Sequence, residues 1–331
     1  MDESGRGLSK DNEIRREISH PTGMNRESSM ILENCRLCAR SCGVNRMKNR
    51  AGRCGQTEEL VVARAALHMW EEPCISGREG SGTVFFVGCP LGCVFCQNRD
   101  IAAGSVKSGA GKKISISRLA DIFNELQEAK ANNINLVTPT HYVPQIVEAV
   151  RLARAEGLHI PIVYNTGSVE TPETVHLLEG TVDIFLPDLK FCGQDIAYRY
   201  AHMADYFDVA AKAIREMAEI AGEAAFDTRG MMTRGVIVRH MVLPGHTKDS
   251  KAILKYLWET YGDRIYVSIM NQYTPMPGIE REFPELGRRV TKREYDRVVD
   301  YALELGFTNA FVQEGPTAEE SFIPAFDATG V

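Results

Sequence analysis

The sequence predicts an α/β fold built from repeated strand-helix units, and three observations carry that expectation. Short apolar runs recur at 83–87, 134–137, 162–164, 182–186, 235–242 and 265–269, each largely apolar as in strands buried on both faces. Between them, apolar residues recur at helical spacing. Polar groups follow strand after strand, which bears on how the strands are arranged.

The elements can be justified in chain order. After the first strand, Ser117 is placed to cap a helix whose Leu119, Ile122, Phe123 and Leu126 share one face. Val143, Ile146, Val147 and Val150 mark the next, with Gly157 as its stop. Further helices fit 172–178, 209–220, 252–261 and 292–305, the last with Thr291 as its cap. Such units imply parallel strands with right-handed crossovers, in either a doubly wound sheet or a barrel. The periodicity alone leaves both open. The chemistry after the strands favours a barrel: Cys89 to Cys96 follow the first, Thr138-Pro139-Thr140-His141 the second, Asn165-Thr166-Gly167 the third and Asp188-Leu189-Lys190 the fourth. Arg239-His240 lies in the end of the fifth, and Asn271-Gln272-Tyr273 follows the sixth. In a β/α barrel all these ends face one mouth.

Composition narrows the function classes. With 331 residues and 44% hydrophobic content the chain can bury a substantial core. A net charge of -6 and a pI of about 5.8 argue against a duplex nucleic-acid partner. No apolar run approaches a membrane span, and the first thirty residues lack the apolar core of a secretory signal. A cytoplasmic protein without a membrane anchor is expected. The expected divisions are a disordered leader over 1–29, a cysteine-rich metal-binding extension over 30–79, a barrel domain over 80–313 and a tail over 314–331.

Eight of the nine cysteines precede residue 97, a clustering that points to metals rather than disulfides. Cys89, Cys93 and Cys96 are spaced C-x3-C-x2-C in a Gly- and Pro-punctuated loop after a strand. Three close thiolates can hold a cubane cluster by three irons and leave the fourth open to a small molecule, the logic that separates catalytic from structural metal sites. The plainer alternatives are part of a zinc site or free core thiols. Cys35, Cys38, Cys42 and Cys54 follow a C-x2-C-x3-C-x11-C spacing, with Gly43 and Gly55 after two of them. Four thiolates suit a tetrahedral zinc or a second, auxiliary iron-sulfur cluster equally, and Arg36, Arg40, Arg46, Lys48, Arg50 and Arg53 could offset the charge of either. Cys74 could replace one of these ligands or lie buried beside the barrel entrance. Cys192 could face the site as a thiol, although an isolated cysteine is usually inert.

The trio, with an aromatic residue just before its last cysteine, resembles the signature of the radical S-adenosylmethionine (radical SAM) superfamily. Further segments resemble a family similar to the pyruvate formate-lyase activating enzyme, over about 35–312. They are Trp70-Glu71-Glu72-Pro73-Cys74-Ile75-Ser76-Gly77, the loop ending Gln97-Asn98, 135–141, Tyr164-Asn165-Thr166-Gly167, Pro187-Asp188-Leu189-Lys190 and 238–245. The resemblance implies a partial six-stranded (β/α)6 barrel and a 4Fe-4S cluster on Cys89, Cys93 and Cys96. It implies an oxidoreductase that cleaves S-adenosylmethionine to a 5'-deoxyadenosyl radical, which abstracts hydrogen from a substrate. A flavodoxin- or ferredoxin-type reductant would supply the electron, and a protein substrate, a glycyl-radical enzyme, competes with a small metabolite or a modified peptide. Residues matching Asp188, Lys190 and His240 help hold S-adenosylmethionine in the activating enzyme. Thr138, Thr140 and Asn165 join them as expected cofactor-binding residues. One departure stands out: where the superfamily usually has Gly-Gly-Glu-Pro, this chain has Val137-Thr138-Pro139-Thr140, with no carboxylate. Its hydroxyl and carbonyl oxygens can still accept from an ammonium. The alternative function class is a non-catalytic iron-sulfur or zinc protein that transfers electrons or organises a complex.

Overall fold

A computed structural model describes residues 24, 26–102, 110–313 and 324–331, and in it the apolar runs become strands of one sheet. Strand β1 spans Leu60–His68 and β2 Ser81–Phe86; β3 is Lys112–Ile114, β4 Ile134–Val137, β5 Ile162–Thr166 and β6 Ile184–Pro187. The short β7, Ala225–Phe226, pairs with β8, Met232–Met241; β9 is Tyr266–Met270 and β10 Ala310–Val312. Helix α1 spans Arg26–Glu33, α2 Pro73–Ser76, α3 Ile116–Glu128, α4 Val143–Ala155, α5 Pro172–His176, α6 Gln194–Ala201, α7 Tyr206–Ala221, α8 Thr247–Tyr261 and α9 Lys292–Leu305.

Strand order decides between the two architectures left open by periodicity. The sheet runs β10-β9-β8-β6-β5-β4-β2-β1-β3, and along that order every pairing from β2 to β10 is parallel, with only the off-path β7 antiparallel to β8. A doubly wound sheet reverses its order at a switch point. Here each new strand adds to the same side, so right-handed crossovers put the helices on one face and curl the other into a lumen. This is the partial (β/α)6 barrel, with β10 as a short closing strand. The two faces carry separate cores: Tyr164, Phe185, Val236 and Val238 pack outward in the main core, whereas Val163, Ile184, Leu186 and Ile237 face the lumen with Cys74 and Ile75.

Some local expectations shift. Ser115, not Ser117, caps α3 by accepting from the Arg118 amide, and the Ser117 hydroxyl instead meets that of Ser115 at 2.8 Å. Thr291 caps α9 in a reciprocal capping box with Glu294, as its spacing predicts. The leader expected over 1–29 lies largely outside the described residues. Within them Met24 is fully buried and α1 begins at Arg26, because Leu32 and Met24 find a place in the main core. The strand β1 was not anticipated, since the charged and alanine-rich run after the cysteines has little β pattern. It forms because it pairs antiparallel with β2 over Val62 to His68.

From β1 the extension turns into the barrel. Helix α2 plugs the floor of the lumen, held by the Asn132 and Asn133 side chains, which donate to the carbonyls of Ser76 and Ile75, both at 2.7 Å. Cys74 is therefore part of this floor and supplies no ligand to the Cys35–Cys54 loop; burial pushes its thiol up to about 12. On the outer edge of β1, residues 327–331 continue where β3 leaves off: Ala65 N donates to Thr329 O at 2.9 Å and Ala328 N to Ala63 O at 3.0 Å. That covers an edge that would otherwise offer unpaired backbone groups.

Candidate metal and cofactor site at the barrel mouth

The loop after β2 is shaped by its glycines and anchored by one aromatic side chain. Gly88 and Gly92 take φ of 98° and 71°, a region that costs a side chain but not glycine. Phe95 is buried with its ring edge-on to Phe191, Tyr200 and Tyr273, at centroid separations of 6.0, 6.2 and 6.2 Å. Between these fixed points Cys89, Cys93 and Cys96 face a cavity of about 240 Å³. The Leu91 amide donates to Cys89 Sγ at 3.4 Å, and the Asn98 amide to Cys96.

The same cavity is lined by Thr138, Asn165, Thr166, Asp188, Lys190, Arg239 and Gln272, from the C-terminal ends of β4, β5, β6, β8 and β9, and by Glu71 from the extension. Convergence follows from parallel strands in register, with Val137 beside Asn165 and Asp188 bridged to Arg239. Arg239 is the hub. It donates to Asp188 at 3.1 Å, to Glu71 at 3.0 Å and to Asn165 Oδ1 at 2.6 Å. Lys190 Nζ lies 2.5 Å from the other oxygen of Asp188.

The electrostatics follow from burial and these partners. Burial works against a charge on Asp188, but Lys190 and Arg239 outweigh it and hold the carboxyl below its ordinary value. For Lys190 burial likewise opposes the charge, and Asp188 and Cys93 raise its pKa above the usual lysine value. Both ions therefore persist at neutral pH. Burial pushes the Cys96 thiol up to about 12, with Cys89 adding to the rise, and raises Cys93 although Lys190 pulls the other way. Thiols in such a setting become thiolates when a metal cation replaces their protons. Among the described residues no group of three or more His, Cys, Asp or Glu converges tightly enough for a single metal ion; ligands that each take a different iron need not converge so closely.

Two expected cofactor-binding residues lie elsewhere. His240 is buried behind the strand, with Nδ1 2.8 Å from Leu189 O and Nε2 2.9 Å from Ser250 Oγ. Successive strand residues point to opposite faces, so with Arg239 in the lumen His240 must face the helices, where it braces the carbonyl between Asp188 and Lys190. Thr140 is also withdrawn from the cavity. Its hydroxyl lies 2.5 Å from Glu170 Oε1, which also accepts from Thr166 and Tyr164. Thr138 does line the cavity, and it holds φ at 57°, an uncommon conformation for a β-branched residue. Cys192 lies outside the cavity, its amide on the Asp249 carboxylate at 3.1 Å.

Arg239, grouped with His240 among the strand-end residues, and Glu71, within a segment that carries the resemblance, were not among the expected cofactor-binding residues. In a strand apolar on both faces, Arg239 and His240 give no clue to which one points inward. Glu71 precedes the barrel strands, and nothing in its spacing predicts a descent into the lumen.

At the N-terminal loop, Cys35 and Cys54 are buried, Cys38 half-buried and Cys42 exposed. The Cys42 and Cys54 sulfurs both face Gly52, 2.9 and 3.9 Å from where a Cβ would stand. The Arg40 amide donates to Cys38 and the Gln56 amide to Cys54, the same two-residue offset seen at Cys89 and Cys96.

The family model of the radical SAM superfamily matches residues 83–257. An uncharacterized protein of Methanocaldococcus jannaschii is 30% identical over 283 residues, which are 82% of this chain and 75% of that protein. Among solved structures, Streptococcus suis SuiB bound to S-adenosylmethionine is 14% identical with a TM-score of 0.45, over 69% of this chain and 48% of that one. The FeFe-hydrogenase maturase HydG from Carboxydothermus hydrogenoformans is 12% identical with a TM-score of 0.45, over 73% and 56%. A domain of a Bacteroides vulgatus pyruvate-formate lyase-activating enzyme is 13% identical with a TM-score of 0.38, over 52% and 92%. The chain spans about half the length of the first of these structures. Among the described residues no helix is long and apolar enough to cross a membrane. The family match takes in the cysteine loop and the strands β2 to β8 that carry most of the cavity's polar groups, and this chain belongs to the radical SAM superfamily.

Proposed function

We propose that the protein is a radical SAM oxidoreductase whose Cys89, Cys93 and Cys96 hold a 4Fe-4S cluster with one iron open to S-adenosylmethionine. The observation that carries this reading is the opening of the three thiols into the same cavity as the ion network of Asp188, Lys190 and Arg239. The donor set fits the group: thiols alone on one loop, with backbone amides aimed at Cys89 and Cys96 sulfur, suit iron held by thiolates. When bound, the cluster and S-adenosylmethionine together supply reductive cleavage to methionine and a 5'-deoxyadenosyl radical that takes hydrogen from the substrate.

The chain's own residues bind and orient. Lys190 offers a permanent cation beside Cys93 and Asp188 a permanent anion, suited to the carboxylate and the cationic groups of S-adenosylmethionine. Arg239 fixes Asp188 and Asn165. The Thr138 hydroxyl and carbonyl are the acceptors at the end of β4, and Glu71 brings the cavity a carboxylate that this loop lacks. Cys35, Cys38, Cys42 and Cys54 are proposed to hold zinc or a second cluster, a single zinc requiring their sulfurs to draw closer than they stand here.

Resemblance to pyruvate formate-lyase activating enzymes makes a glycyl-radical enzyme the first substrate to test, with a flavodoxin- or ferredoxin-type protein as donor. The decisive assay incubates anaerobically reconstituted protein with dithionite and S-adenosylmethionine. Formation of 5'-deoxyadenosine and methionine is expected, and a fully loaded protein that never forms them would refute the proposal.

A further inference from the structure

The two cysteine loops pack against each other, and one side chain clasps them together. Arg40 follows Cys38 by two residues, and its backbone amide donates to the Cys38 sulfur. Its guanidinium reaches across to the other loop: Nε donates to Pro90 O at 3.1 Å and Nη2 to Leu91 O at 3.3 Å, the carbonyls just after Cys89. The remaining donors meet the C-terminal carbonyls of α6, with Nη1 2.7 Å from His202 O and Nη2 2.9 Å from Ala201 O. That end of a helix carries partial negative charge and holds a cation in place. Four hydrogen bonds thus spend this arginine on backbone carbonyls, and its charge acts on both Cys38 and Cys89.

A second contact reinforces the first. A Cβ on Gly88, the residue before Cys89, would stand 2.7 Å from Cys54 O and 2.5 Å from Gln56 Cγ, so the backbones of the two loops pack directly. A third runs through Arg46, which is fully buried. It donates to Thr57 O, to His141 O at 2.5 Å and to the Cys35 sulfur at 3.9 Å and lies over the Tyr142 ring, and the His141 ring holds Val87 O at 2.8 Å. A buried cation needs an anion nearby, and the sulfurs of a metal-bound loop provide it.

We propose that Arg40 is a positioning residue that couples the two thiolate centres: metal in the Cys35–Cys54 loop locks Arg40, and Arg40 locks the Cys89 loop and makes its centre easier to reduce. The inference rests on the reading of Cys89, Cys93 and Cys96 as a cluster site. The redox part is electrostatic, because a cation beside a ligand sulfur favours the added electron, and hydrogen bonding and charge near the sulfurs set cluster potentials.

The experiment compares Arg40→Met and Arg40→Lys with the wild-type chain after anaerobic reconstitution, reading iron content, the electron paramagnetic resonance spectrum and the midpoint potential of the Cys89 centre. Arg40→Met should shift the potential to more negative values, and Arg40→Lys, which keeps the charge but loses the fork, should return most of that shift. In a Cys42→Ser variant, which removes the exposed ligand, the yield of the Cys89 centre should fall although its own ligands are intact. A potential and spectrum unchanged in Arg40→Met overturn the electrostatic role. Full loading of the Cys89 centre in a Cys42→Ser chain that has lost its N-terminal metal overturns the coupling. Circular dichroism identifies a variant that has merely unfolded, in which case Arg40→Lys decides. A wild-type chain that takes up no cluster would instead sink the underlying reading.

Discussion

The loop at 89–96 and the loop at 35–54 are both made of cysteines, glycines and backbone amides aimed at sulfur, yet they are built for different ends. The first opens into a cavity shared with Asp188, Lys190, Arg239 and Glu71. The second has one sulfur more, and two cations beside it, Arg40 and Arg46, spend most of their hydrogen bonds on carbonyls rather than leaving a polar space. Three ligands with a cavity suit an open coordination site, whereas four ligands suit a closed one. Cysteine number and what lies opposite the sulfurs separate chemistry from support more clearly than spacing does.

The largest expected effect breaks the comparison at its root. Replacing Cys93 with alanine should reduce the proposed S-adenosylmethionine cleavage to background while any metal held by the Cys35–Cys54 loop is retained. Iron and zinc analysis of that variant checks both halves, and its remaining spectrum separates zinc from a second cluster.

Next in size is the ion network that only the open site possesses. Arg239→Met leaves Asp188 and Glu71 facing each other in the lumen without their shared cation, and removing one partner of a buried pair costs about 3–5 kcal/mol. Urea unfolding should show that loss. The same substitution at exposed Arg50, in the N-terminal loop, should change stability by less than about 0.5 kcal/mol.

A smaller effect appears in pH. The Asp188 carboxyl is depressed in the folded chain, so its contribution is complete above the ordinary value of 3.8 and is lost as pH falls through the lower folded value. His240 is a base held below its ordinary 6.5, chiefly by burial, so folding keeps it neutral and stability falls as pH drops below that value. Unfolding curves from pH 7 to 3 should therefore steepen in two stages. Asp188→Asn should flatten the more acidic stage and leave the other in place; an unchanged acid limb would count against the ion network.

The smallest effect tests the wall of the open site. Thr138→Gly relieves a positive φ and should change folding stability by no more than about 1 kcal/mol. If the Thr138 hydroxyl contacts S-adenosylmethionine as proposed, calorimetry will still show weaker binding. Undiminished affinity would remove Thr138 from the site.

Much of this was legible before any coordinates. Alternating apolar runs marked β2, β4, β5, β6, β8 and β9 and most of the helices, because strands buried on both faces and amphipathic helices each leave a local pattern. Thr138, Asn165, Asp188 and Lys190 line the cavity as expected, because a parallel barrel sends all its strand ends to one mouth. The misses have a shared cause. Strand β8 is apolar on both faces, so its sequence has no phase, and His240 was chosen where Arg239 points inward. Strand β1 depends on pairing with β2 more than on its own propensity.

By itself, then, the sequence determined the local and repetitive parts: the β/α alternation, the Thr291 capping box and the three thiols in one loop, each encoded within a few residues. Tertiary structure decided the rest: that the strand order never reverses and so encloses a lumen, that Glu71 descends into it, that Thr140 turns away to Glu170, and that Arg40 reaches from one cysteine loop to the carbonyls of the other. Those contacts join residues about 30 to 170 positions apart. Their energies are set by burial and charge pairing in the closed fold, which no short window of sequence contains.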